Sequence, residues 1–381
     1  MIARIVTWAV EKRWLVLLLT VIVAAIGAFS LYRLPIDAVP DITNNQVQIN
    51  VRAPALSPEL VEKQVSFPIE TALAGTPGLE YTRSLSRNGF AQITAVFSDA
   101  TDIYFARQQV GERLRGVQEN LPDGVNPEMG PIATGLGEVY MYTVRLDHRE
   151  DDKHKPGEPG QQPDGSYITP EGERLTTEED KATYLRTAQD WIVTPLLKTT
   201  PGLAGVDSIG GYAKQFLVVP DVQKLASLGI TLTDLGNALE RNNTSVGGGF
   251  VNRNGEGLAV RSDALVRNAS ELARTVIATR NGVPITVEQV ATVKTGQAIR
   301  MGSASENGTE VVVGTAIMRI GENSRIVSTA VAEKLKTINA SLPPDVVIQP
   351  VLNRTELVNS TIKTVAKNLS EGAVLVIVVL F

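Results

Sequence analysis

The residue pattern with the clearest chemical use is a carboxylate framed by glycines: Glu138, in the run Thr134-Gly135-Leu136-Gly137-Glu138-Val139-Tyr140. A glutamate at the start of a strand offers an anionic oxygen, which hard and borderline divalent cations accept. The same residue also reads as an ordinary exposed strand end. His148 and His154 are a second candidate, set among Asp147, Glu150, Asp151 and Asp152. Imidazole mixed with carboxylate suits weak divalent-cation binding, and a solvated charge run accounts for the pattern equally. Gly247-Gly248-Gly249 is the third. No helix start with Lys or Ser/Thr follows it, so it reads as a turn, or as an arm lying against another chain, rather than a phosphate cradle. Cysteine is absent, and so are GxSxG and HExxH. Those absences leave no catalytic constellation, and the reading is a non-enzyme with no bound cofactor.

The elements that must position these residues are legible in part. Gln46 to Val51 alternates as a half-buried strand. Ser57-Pro58-Glu59-Leu60 then opens a helix expected to turn Leu60, Val61, Val65, Ile69 and Leu73 inward. Strands from Leu79 to Leu85 and from Ala91 to Phe97 are joined by Arg87-Asn88-Gly89. A helix from Asp102 toward Leu121 follows, with Phe105, Val110, Leu114 and Val117 as expected core. Strand, helix, two strands and helix make most of a split βαβ unit. The order recurs with strands over 139–146, 310–319 and 346–351 and helices over 184–197 and 324–338. That second unit is interrupted by an inserted module over 203–296, with a capped helix at Thr231-Leu232-Thr233-Asp234. The fold class expected is therefore membrane α+β, with ferredoxin-like units and an insertion.

Two apolar runs account for the word membrane. Trp14 to Leu34 has no charge before Arg33 and is long enough to span a bilayer. Ala373 to Phe381 reads as the first half of another such helix, so the chain is expected to be an N-terminal fragment. Arg4, Lys12 and Arg13 precede the first run while Asp37 and Asp41 follow it, which places the N-terminus in the cytoplasm and the rest outside. The formal charge of -5 is concentrated between Asp147 and Asp180, where Pro156 to Gly165 reads as a mobile surface loop. No basic stripe is present, which argues against nucleic acid as a partner.

Several separated blocks carry a resemblance. Leu34-Pro35-Ile36-Asp37-Ala38-Val39-Pro40-Asp41-Ile42, Gly130 to Glu138, Asp190-Trp191, Gly205-Val206, Ile209-Gly210-Gly211, Glu240-Arg241-Asn242-Asn243 and Asn368 to Ala373 resemble the heavy-metal efflux branch of the resistance-nodulation-division transporters, in particular its cobalt-zinc-cadmium pumps. The resemblance implies a proton-driven cation antiporter of the bacterial inner membrane, with the divalent cation as cargo. It also implies a homotrimer docked to a periplasmic adaptor and an outer-membrane channel. On that template 1–13 is cytoplasmic, 14–34 is the first membrane helix, and 35–135 is the first periplasmic pore subdomain. Residues 136–202 and 297–355 make the second, with 148–166 as its mobile acidic loop. Half of a docking domain occupies 203–296, with the glycine tip at an interface, and 356–381 leads into the second membrane helix. Glu138 falls where divalent-cation pumps carry a cleft carboxylate. Copper and silver relatives use methionines, of which this chain has five. Asn353-Arg354-Thr355 departs from the Asp-Arg-Thr of many relatives, and the family's proton-relay acids lie beyond this sequence. An exporter of copper, silver or organic solutes, or a membrane-anchored sensor or scaffold, is the alternative.

Overall fold

A computed structural model describes residues 8–33, 43–147, 155–253, 256–263, 265–280, 282–300 and 302–380. Helix α1 (Arg13–Arg33) is followed by strand β1 (Gln46–Arg52), whose inward residues Val47, Ile49 and Val51 are buried. Ser57 accepts from Leu60 N and starts a continuous helical run through Pro58–Val61, Glu62–Ser66 and Phe67–Leu73, called α2. Its middle stretch is π-helical and ends two residues before Pro68. A proline ring and its missing N–H disfavour a regular α turn there, and the wider turn absorbs both. Val61, Val65, Ile69 and Leu73 are buried at a spacing of four, while Leu60, expected inside, is 40% exposed.

Strands β2 (Leu79–Arg87) and β3 (Phe90–Phe97) form a hairpin closed by Asn88-Gly89, with Gly89 at φ +70°. Helix α3 (Ile103–Val117) is capped by Asp102, which accepts from Tyr104 N and Phe105 N. That cap turns Ala106, Val110, Leu114 and Val117 to the core and leaves Phe105 44% exposed, correcting the expected face by one residue. Strand β4 (Asn126–Met129), which the sequence pattern did not mark, pairs with β1 and completes an antiparallel sheet of order β2-β3-β1-β4.

The second unit repeats that order. Strand β5 (Glu138–Leu146) is followed by a small meander of β6 (Gly160–Gln161), β7 (Tyr167–Ile168) and β8 (Arg174–Leu175). Helix α4 (Glu178–Ala188) is capped by Thr177 and starts at Glu178, six residues earlier than expected, and runs on through a π stretch, Gln189–Val193, again two residues ahead of a proline, Pro195. Strand β9 (Leu203–Ile209), counted with the insertion in the sequence reading, pairs instead with β17 (Thr309–Met318), so the insertion begins after Ile209. The reason is register: Val206 reaches the second core only from that edge.

Within the insertion, β10 (Lys214–Pro220) pairs with β15 (Ala291–Gln297). Helices α5 (Val222–Leu228) and α6 (Leu232–Arg241) pack their Leu225 and Leu235 into a core shared with Ile277, Ile285 and Val290. Thr231 and Asp234 close the expected capping box. An exposed hairpin of β11 (Ser245–Arg253) and β12 (Glu256–Asp263), helix α7 (Ala269–Ala273), strands β13 (Val276–Arg280) and β14 (Val283–Thr286), and helix α8 (Val287–Val290) complete it. The second sheet then closes with β16 (Ala304–Glu306), β17, helix α9 (Ser324–Asn339) and β18 (Val346–Asn353), giving the strand order β9-β17-β5-β18. Both units are thus split βαβ sheets of the same connectivity, each over its own core.

Of the stretch expected to be a mobile acidic loop, 148–154 lies outside the described residues, and 155–166 packs against the second unit. Tyr167 is fully buried and donates to Pro344 O (2.8 Å), and Gln161 N donates to the buried Asp345 carboxylate (2.7 Å). These links staple the meander to the second core. The final helix, α10 (Arg354–Leu380), leaves the end of β18. Its apolar residues Val374 to Val379 and those of α1 from Leu17 to Val23 are exposed. Among the described residues no helix is long and apolar enough to cross a membrane.

Candidate cation site

Glu138 opens β5 at the end of a crossover, Gly130–Gly137, that links the two split units. Thr134 O accepts from Gly137 N (3.0 Å), making a tight turn just ahead of the glutamate. Gly137 O accepts from Met318 N (2.7 Å), and Ile132 O from Ile320 N (3.2 Å), which fastens the crossover to the chain leaving β17. A Cβ at Gly137 would lie 3.0 Å from Thr134 O, 3.1 Å from Met318 O and 3.2 Å from the Ala133 Cβ, so any larger residue there forces its neighbours to give by a few tenths of an ångström. Gly135 has open space instead. One of the two framing glycines is therefore structural, and it sits against Glu138.

The carboxylate itself is exposed, and among the described residues it takes no hydrogen bond or ion pair. The backbone beneath it is fixed and no internal cation has to be displaced, while the side chain itself keeps its rotamer freedom. One carboxylate is not a site, however. Among the described residues no group of three His, Cys, Asp or Glu converges to hold a metal ion.

Two arginines, neither marked by the sequence reading as part of this arrangement, hold the crossover at its ends. Arg107 of α3 donates to Gly130 O (2.7 Å), and burial lowers its pKa from the usual guanidinium value. Arg354, buried at the start of α10, donates to Leu136 O. Neighbouring Asn353 accepts from Thr355 N (3.0 Å) and Ser328 Oγ (2.9 Å), so the asparagine that departs from the expected Asp caps a helix with neutral acceptor chemistry. These links join residues far apart in the chain, and no local pattern could have marked them.

Behind Glu138 on β5, Tyr142 is fully buried and accepts from Gln189 Nε2 (3.1 Å). Burial raises its pKa above the ordinary phenol value, with the hydrogen bond from Gln189 offsetting part of the shift. His148 and His154 lie outside the described residues. Their neighbour Asp147 is paired with Arg145 (2.6 Å), which also reaches Glu306 (3.2 Å). Gly247, Gly248 and Gly249 lie in β11 on the exposed hairpin, where the register to β12 shifts between Gly247 and Phe250. Gly249 alone of the three takes a left-handed φ, +84°. Phe250 beside it is 80% exposed. The structure thus keeps Glu138 and the glycine hairpin apart, one at the junction of the split units and the other on the insertion.

The AcrB/AcrD/AcrF family profile matches residues 5–381. The chain is 57% identical to the nickel-cobalt-cadmium resistance protein NccA of Alcaligenes xylosoxydans xylosoxydans, covering all of this chain and 36% of that protein. It is 48% identical to the cobalt-zinc-cadmium resistance protein CzcA of Cupriavidus metallidurans (strain ATCC 43123 / DSM 2839 / NBRC 102507 / CH34), covering all of this chain and 34% of that protein. The crystal structure of a heavy metal efflux pump superposes with a TM-score of 0.80 at 30% identity, over 97% of this chain and 34% of that one. The chain thus spans about a third of the length of the relatives it matches.

Proposed function

The chain belongs to the AcrB/AcrD/AcrF family of resistance-nodulation-division transporters, and on that premise we propose that it forms the N-terminal part of an inner-membrane exporter of divalent heavy-metal cations. Export is driven by proton antiport, and the pump works as a homotrimer joined to a periplasmic adaptor and an outer-membrane channel. Nickel, cobalt, cadmium and zinc are the cargo class, in keeping with the names of the relatives. The run Trp14 to Leu34 is the first membrane helix. What supports it is the uncharged sequence from Trp14 to Tyr32 and the family, not the described helix, which does not by itself qualify as a span. Helix α10 leads into the second. The split units form the periplasmic pore region, and the insertion, with its glycine hairpin, reaches the neighbouring subunit and the adaptor.

The observation that carries the cation reading is the exposed, unengaged Glu138 carboxylate on a glycine turn at the junction of the two units. Further ligands come from outside the residues described here, and a transported ion must in any case be held loosely enough to leave. Glu138→Gln keeps the size and removes the charge. In the full-length protein it is expected to lower cobalt, nickel, cadmium or zinc tolerance while expression and trimer formation are kept. Unchanged tolerance to all four metals would make Glu138 an ordinary strand end.

A further inference from the structure

The junction of α10 with β5 is tied more densely than helix capping requires, and the ties fall on both sides of Glu138. Arg354, the first residue of α10, reaches Leu136 O. Ser328 of α9 donates toward Asn353 Oδ1 at 2.9 Å and has Val139 O at 3.3 Å, so one hydroxyl touches both the root of α10 and the residue after Glu138. Strand pairing sets Asn353 opposite Tyr140. Between the carbonyl that Arg354 holds and Glu138 lies only Gly137, whose N–H and carbonyl are both bonded. No slack remains to absorb a displacement. At the far end Arg107 holds Gly130 O, so the crossover is pinned to the first split unit as well.

We propose that Arg354 is a positioning residue for Glu138: through the Leu136 carbonyl it fixes the backbone from which the carboxylate side chain leaves, relative to the root of α10. The guanidinium is well suited to this. It is nearly enclosed here and makes a charge-assisted bond to a carbonyl. It acts on the peptide, two residues from the carboxylate, so it orients the ligand and leaves its negative charge for the cation. A movement of α10 is then passed to Glu138 directly, which gives the cation site a mechanical connection to the helix that continues toward the membrane.

This inference rests on the reading of Glu138 as a cation ligand, and the test separates the two. Cobalt ions are titrated calorimetrically into the purified full-length protein and into Glu138→Gln, Arg354→Gln and the double variant. Arg354→Gln is expected to weaken cobalt binding about tenfold, as loss of a group orienting a metal ligand does. Arg354→Lys, which keeps the charge and one donor, should recover most of it. In the Glu138→Gln background the Arg354→Gln change is expected to add less than about twofold, because its effect passes through the missing carboxylate. Equal weakening in both backgrounds would overturn the positioning role while leaving Glu138 a ligand. Wild-type cobalt affinity in Glu138→Gln would overturn both readings. Should Arg354→Gln fail to accumulate as folded trimer, the same comparison is made with Arg354→Lys. A shift of about threefold there, absent in the Glu138→Gln background, supports the proposal, and an equal shift in both backgrounds refutes it.

Discussion

Gly314 lies mid-strand in β17, directly opposite Tyr142, and replacing it by alanine tests the packing behind Glu138. Strand propensity alone favours the change, because glycine in a strand interior is worse than alanine by roughly 0.5–1 kcal/mol. The structure reverses the sign. A Cβ at Gly314 would fall inside the Tyr142 ring, 2.5 Å from both Cε2 and the hydroxyl oxygen, so the ring must move. Tyr142 is fully buried, and displacing it separates its hydroxyl from Gln189 Nε2. Overpacking of this kind destabilises by about 1–3 kcal/mol, and leaving the buried phenol unmatched by about 1–3 more, while Gln189 Nε2 keeps Thr194 and Ser208 as acceptors. Set against the gain in propensity, the net expected is a loss of about 2–4 kcal/mol. Hydrogen exchange of the β5 amides in the full-length protein measures it, since the central strand of a sheet opens with its whole unit. Protection is expected to fall by about 30- to 1,000-fold, a tenfold change corresponding to ~1.4 kcal/mol. Tyr142→Leu in the same chain should return part of the loss by vacating the ring's space. Protection unchanged or increased in Gly314→Ala would refute the packing argument.

Burial first, and then the charge of Glu171, push the Tyr184 phenol up to about 12, so the fold favours its protonated form. The stability this contributes is whole below pH ~10 and is lost as pH rises toward the folded value. Thermal midpoints between pH 8 and 11.5 should therefore fall less steeply in Tyr184→Phe than in the native chain. Asp345→Ala removes the buried acceptor of Gln161 N, and places alanine at a φ of +58°. Loss of about 1–3 kcal/mol should free the meander for proteolysis between 155 and 175 while 324–339 stays protected, and simultaneous cleavage of both would contradict a local staple. Gly247 has no neighbour within 4 Å of a Cβ, so bulky residues at Gly247 to Gly249 are expected to weaken trimers on native gels without unfolding the second core. Intact trimers would remove the hairpin from the interface.

Local chemistry was enough for several features. Gly89 specifies its hairpin because glycine takes, without steric cost, the φ of +70° found at the second loop position. Ser57-Pro58 and Thr231 through Asp234 specify helix starts because the capping groups lie within three residues of the amides they serve. Alternation in 46–51 reveals a half-buried strand, and the glycine beside Glu138 marks a tight turn where a larger residue would crowd its neighbours. The family blocks, too, stand in the sequence as written.

Other decisions belong to the assembled fold. Leu203 to Ile209 has no local sign of which sheet it joins, and only pairing with Thr309–Met318, a hundred residues on, assigns it. The 155–175 segment looks solvated by composition, yet it is held by Asp345 and Pro344 from the far end of the unit. The face of α3 shifted from Phe105 to Ala106 because the core it meets, not helical periodicity, chooses among neighbouring stripes. The clamps of Arg107 and Arg354 on the crossover are of the same kind. A backbone carbonyl carries no side-chain signature, so which arginine it binds is settled only when strands and helices distant in sequence are packed together.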